Sequence, residues 1–266
     1  MALVKASYRQ LPARLFHYTN GNAALSIISG GVEVDKEICF WLKNARSKND
    51  ETELRLGAAL IDGLQQYMQR NNRSSVINEI NINPDLVFIN SFSDGEEVTT
   101  HMLKEYGNFR LEFDLRACKY KNDIHECTYF REEDIDELVG CYCAAFDRDW
   151  NLISGDTKNI NALFDYLVEG MSAVHSIPLL KHSREWEQEN EWRHVLYRQP
   201  IDERMFILPD GTERMRVCYP ASSLTGIKCF STYETVDNDL LSLETIKDWI
   251  VTKGWDMDVV MAMYER

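Results

Sequence analysis

Positive charge is in short supply: 29 Lys and Arg stand against 43 Asp and Glu, a formal net charge of −14. A surface of that sign repels polyanions at long range, which disfavours a strong sequence-independent nucleic-acid binder and leaves room only for a local basic cleft. No apolar run approaches the roughly 18 residues that a membrane span needs. The start Met1-Ala2-Leu3-Val4-Lys5 runs into polar sequence instead of a signal-peptide core. The expectation is a cytoplasmic chain with no membrane partner. The seven cysteines include no C-x-x-C pair. A disulfide framework and a structural zinc site are therefore both disfavoured, and buried reduced thiols are expected. Also missing are the glycine-rich dinucleotide and P-loop signatures, an H-E-x-x-H helix and a Ser-His-Asp order.

What is present describes a folded chain. Hydrophobic residues make up 44% and charged residues 27% of 266, an average soluble composition. With no internal repeat and no linker, one domain over residues 1–266 is expected. Strand-like segments at 14–18, 32–42, 86–92, 108–115, 126–130, 138–146, 191–197, 204–208, 214–218, 226–230 and 259–264 mix with helical periodicity at 23–28, 54–68, 98–106, 159–174 and 243–251. Asn20 is placed to cap the first helix, and Gly30-Gly31 to end it in a left-handed conformation. Asp50 and Glu53 have the offset of a capping box, and Ser176–Trp186 reads as a loop or short helix. Strands and helices without regular alternation indicate an α+β fold with a mainly antiparallel sheet.

Three clusters bring together groups that can do chemistry. His17-Tyr18-Thr19 ends a strand, where an imidazole and a hydroxyl can bond sugar or phosphate oxygens and a phenol ring can stack on a heterocycle. Its bland reading is a hydrogen-bonded core pair. Asn49-Asp50-Glu51 is explained by helix capping, or offers Asn49 to an anionic ligand at the helix start. The third cluster runs from Lys181 to Arg193. If residues 189–197 form one strand, Glu189, Glu191 and Arg193 share a face opposite Asn190, Trp192 and His194. Such a row is either a solvated ion-pair ladder or a catalytic carboxylate oriented by a cation. Ser91-Phe92-Ser93 and Tyr106 supply a further wall.

These clusters, in this order, resemble a bacterial family catalogued as domain of unknown function 2971. The matching residues are His17-Tyr18-Thr19, Trp41-Leu42, Asn49-Asp50 with Glu53, Ser91-Phe92-Ser93, Tyr106-Gly107, Lys181 and Glu189-Asn190-Glu191-Trp192-Arg193, spanning about residues 14–197. Met102-Leu103 departs from a Met-Trp pattern in that family. The family layout is in turn similar to the ADP-ribosyltransferase fold, which implies a split antiparallel or mixed β-sheet core with flanking helices and NAD held as substrate in a cleft. By that resemblance His17 would contact a ribose with Thr19 in support. Tyr18 or Tyr106 would stack on nicotinamide, and Glu191 would be catalytic. Asn49, Ser91, Ser93, Glu189, Lys181 and Arg193 would complete the binding set, with no metal.

The activity implied is transfer of ADP-ribose from NAD to a protein or nucleic-acid acceptor by a bacterial toxin, effector or phage-defence enzyme, with an antitoxin or inhibitor as a possible partner. Two other readings compete. One is a non-catalytic module that binds a nucleotide or partner in the same cleft. The other is a metal-dependent hydrolase built on Asp50, Glu189 and Glu191, which lacks convincing ligand spacing.

Overall fold

A computed structural model describes residues 10–30, 36–45, 55–71, 86–131, 134–155, 179–182, 187–231, 237–255 and 257–263. The structure is mixed α+β, and the chain groups into two compact units, each described by itself. No helix among the described residues is long and apolar enough to cross a membrane.

The first unit includes helices α1 (Gly21–Ser29) and α3 (Thr100–Tyr106) and a ten-stranded, mostly antiparallel sheet. Its main path runs from β12 (Asp258–Met263) through β11 (Leu224–Ser231), β4 (Phe109–Phe113), β1 (Leu15–Thr19), β3 (Val87–Ser93), β2 (Glu37–Asn44) and β10 (Glu213–Pro220) to β9 (Met205–Ile207). Off this path, β8 (Glu191–Tyr197) pairs with both β3 and β5 (Ile124–Glu126). A strand has two edges, yet β3 serves β1, β2 and β8. The sheet therefore forks at β3. The β11–β12 pair is parallel.

One sheet face carries the main core. Leu15 opposes Phe113 and His17 opposes Leu111, and this face packs against α1 and against α5 (Asp237–Lys253) through Ile27, Ile28, Leu243 and Ile246. Burying such side chains is worth about 1.5–3 kcal/mol each before chain entropy is counted. The Asn20 side chain accepts from the Ala23 amide at 2.9 Å and starts α1. Gly30 ends that helix with φ −86°, in right-handed space, so left-handed freedom is not what glycine supplies there. A Cβ at Gly30 would meet the Ser26 carbonyl oxygen at 2.6 Å, so close backbone approach is what excludes a side chain. Gly254, with φ +65°, ends α5 in left-handed space, which glycine adopts without a Cβ penalty.

The second unit packs α2 (Arg55–Arg70) against α4 (Ile135–Gly155), with β6 (Thr128–Phe130) and β7 (Leu180–His182) paired in parallel. Leu56, Leu60 and Leu64 recur at i+4 on α2 and meet Ile135, Leu138 and Tyr142 of α4. A Cβ at Gly63 would lie 2.7 Å from a Val139 methyl, so the missing side chain lets the helices close. Here the sequence reading fails twice. The expected strand at 138–146 is the interior of α4, and part of the expected loop at 176–186 is β7. The expected helix at 159–174 and the Asp50–Glu53 capping box lie outside the described residues.

Candidate functional site

The fork in the sheet places a cleft within the first unit. It is lined by Phe16, His17 and Tyr18 of β1, Ser91, Phe92 and Ser93 of β3, Met102 and Tyr106 of α3, and Glu189 and Glu191 at the start of β8, around about 370 Å³ of space that includes open solvent at the mouth. Residues remote in the chain meet here because β1 and β8 are both neighbours of β3. Phe16, Phe92 and Met102 supply the apolar part of the lining.

Nδ1 of His17 lies 2.9 Å from the Ser91 carbonyl oxygen. A carbonyl only accepts, so Nδ1 carries the proton and Nε2 keeps the lone pair in the neutral ring. Phe40 meets the imidazole edge-on at 5.0 Å and Phe92 at 5.9 Å. Burial lowers the His17 pKa to about 4; the Ser91 bond opposes that shift and the charge of Lys43 adds to it. At neutral pH this is an uncharged hydrogen-bonding ring.

Glu191 is buried and paired with Arg193 two residues on, through Nε to Oε1 at 2.8 Å and Nη2 to Oε2 at 3.3 Å. Period-two geometry brings them to one face, as the sequence predicts. Arg193 is 0% exposed and does not line the cleft; it holds the glutamate from within the sheet. Opposite it, Trp192 donates to Asp94 at 3.2 Å, and His194 bonds the Tyr219 hydroxyl.

Glu189 departs from the expected strand. It closes a 3₁₀ turn (Glu187–Glu189), and Asn190 then takes φ 44°, left-handed space that asparagine tolerates, before β8 begins at Glu191. This corner turns both carboxylates to the cleft. Ser93 fixes it: its hydroxyl donates to the Glu189 carbonyl at 2.6 Å and accepts from the Gly95 amide at 3.1 Å, while the Asp94 amide donates to the Asn190 carbonyl at 3.2 Å. The Glu189 carboxylate accepts from the Tyr106 hydroxyl at 2.7 Å, and Nε2 of His101 lies 3.7 Å away. Tyr106 is 41% exposed and so offers ring surface at the mouth.

The Tyr18 hydroxyl is buried beside the Arg110 guanidinium without a hydrogen bond of acceptable geometry, and burial pushes its phenol up against the pull of that charge. Arg110 stacks over Phe16 at 4.4 Å and bonds Glu112 at 2.8 Å, again two residues along one strand. The sequence reading passed over this Arg-x-Glu pair, although its spacing matches that of Glu191 and Arg193. It also passed over Phe16 and His101. Phe16 lies between Leu15 and His17, and nothing in its own pattern separates a cleft lining from core.

Of the other expected site residues, Thr19 is buried and does not line the cleft. Lys181 sits in β7 of the other unit. Asn49 lies outside the described residues. No group of three or more His, Cys, Asp or Glu side chains able to hold a metal occurs among the described residues. No protein-family model matches the chain, and no curated protein or solved structure is significantly similar to it.

Proposed function

We propose that the cleft binds NAD as substrate and that the protein is an ADP-ribosyltransferase with an ADP-ribosyltransferase-like arrangement of its forked sheet. The single observation that carries the reading is the convergence of His17, Tyr106, Glu189 and Glu191 on one cleft that also has apolar lining. The fit is chemical. Tyr106 and Met102 offer surface to a heterocycle, and the buried Tyr18 hydroxyl offers a polar contact.

Breaking the nicotinamide–ribose bond builds positive charge on the sugar ring, as in glycoside hydrolysis. The Glu191 carboxylate meets that charge. Arg193 bonds both of its oxygens and holds the carboxylate in place. Neutral His17 bonds sugar oxygens without adding a positive charge that would oppose the one developing. Glu189, held by Tyr106, is a second carboxylate in the same cleft. The acceptor is a protein or nucleic acid, in keeping with a bacterial toxin, effector or phage-defence enzyme. The test is nicotinamide release from NAD. Wild type releases it, and Glu191→Gln lowers the rate at least ~100-fold; equal rates overturn the role of Glu191. An NAD-dependent rise in melting temperature with no release would make the cleft a nucleotide-binding module instead.

A further inference from the structure

Cys39 of β2 and Cys218 of β10 are direct cross-strand partners, and their sulfurs lie 3.3 Å apart. Both are free thiols. Directly opposed residues in an antiparallel pair have Cα atoms about 4.5–5.5 Å apart, inside the ~4.4–6.8 Å that a disulfide spans. Bonding needs the sulfurs to close from 3.3 Å to about 2.05 Å. Cys39 is 1% exposed, whereas Cys218 is half-buried. On the same face Arg216 directs Nε to the Cys39 sulfur at 3.1 Å and Nη2 to the Gly30 carbonyl. A fixed guanidinium of this kind favours a thiolate, although burial is the larger influence on Cys39 and pushes its thiol up to about 12.

We propose that Cys39 and Cys218 form a redox-active dithiol, a modification site that closes to a disulfide on reaction with a small-molecule disulfide of the glutathione class. The accessible Cys218, as thiolate, attacks one sulfur of the reagent, forming a mixed disulfide and expelling the first thiol. Cys39 then attacks the Cys218 sulfur, expels the second and loses its proton to solvent. Both protein thiols are oxidised by two electrons in total, and one reagent disulfide is reduced to two thiols. The bridge pins β2 at the residue before Phe40, whose ring packs on His17 at 5.0 Å. The site stands apart from the cleft's chemistry and holds whether or not NAD binds.

The experiment incubates the full chain with excess oxidised glutathione, blocks remaining thiols with an alkylating agent and maps the peptides. The expected result is a Cys39–Cys218 crosslinked peptide and an intact mass about 2 Da lower before alkylation. Because the linked residues are 179 apart, the melting temperature rises by roughly 5 °C or more without reductant and returns with dithiothreitol. Cys218→Ser, checked for unchanged melting under reducing conditions, abolishes both effects. Glutathione retained on Cys218, both thiols still alkylated, or a bridge to another cysteine overturns the proposal.

Discussion

The wholly buried guanidinium of Arg193 grips the Glu191 carboxylate from two positions along the same strand, at 2.8 and 3.3 Å. Neither charge is alone in the protein interior. Removing one partner of a buried pair typically costs about 3–5 kcal/mol, because a buried charge loses compensation.

Arg193→Met is therefore expected to lower the urea midpoint by an amount equivalent to roughly 3–5 kcal/mol, while the double variant with Glu191→Leu recovers much of the loss. A double-mutant cycle by urea unfolding measures this. Additive losses would show that the pair is not coupled.

Ser93→Ala removes the hydroxyl that ties β3 to the corner carrying the two carboxylates. It leaves the Glu189 carbonyl and the Gly95 amide each short of a partner, at a cost of about 1–3 kcal/mol. Nicotinamide release is expected to fall mainly through kcat, because the displaced groups are those that meet the developing charge. A change confined to KM would instead make Ser93 a ground-state binding residue.

Asn190 turns the chain at φ 44° between Glu189 and Glu191. Asn190→Gly keeps that conformation open, whereas a β-branched side chain opposes it by about 1–2 kcal/mol. Asn190→Gly should retain near-normal melting and activity, and Asn190→Val should lose both. Equal behaviour of the two variants would show that the left-handed corner is unimportant.

Acid is expected to weaken the fold well above the pH at which carboxylates protonate. An imidazole in the unfolded chain takes up its proton near pH 6.5, but burial lowers His17 to about 4 and His194 to about 3, with the charges of Arg204 and His125 adding to the effect at His194. Between these values the unfolded chain binds more protons, so the stability contributed is complete above about 6.5 and is lost as pH falls toward 4. Urea midpoints at pH 7.5, 6 and 5 should fall in that order. His194→Gln should flatten the dependence, and an unchanged slope in that variant would contradict it. The rate of nicotinamide release should show no break near 6.5 from His17, which stays neutral throughout.

Much of the sheet is legible in the sequence, because strands such as β4 alternate at period two and end in turn residues. Helix α4 is not. The stretch Leu138–Phe146 is apolar on nearly every side, and a buried helix segment and a buried strand then look alike. Only the seam of Ile135, Leu138 and Tyr142 against α2 decides it. In the cleft, the spacing of Glu191 and Arg193 predicts their contact, since it is local to one strand. The meeting of His17 with Glu191 depends on which strands neighbour β3, and pairing across that distance leaves no mark in either local pattern. The Glu189 corner was missed for a related reason. A single left-handed asparagine starts the strand at Glu191, two residues later than alternation from Glu189 suggests.

The most direct measurement is a crystal structure of Glu191→Gln with NAD, the substitution being chosen to keep the dinucleotide intact. The account predicts the nicotinamide ring beside Tyr106 or Tyr18, with its ribose between His17 and position 191. An empty cleft at saturating NAD, or NAD bound elsewhere on the molecule, would contradict it.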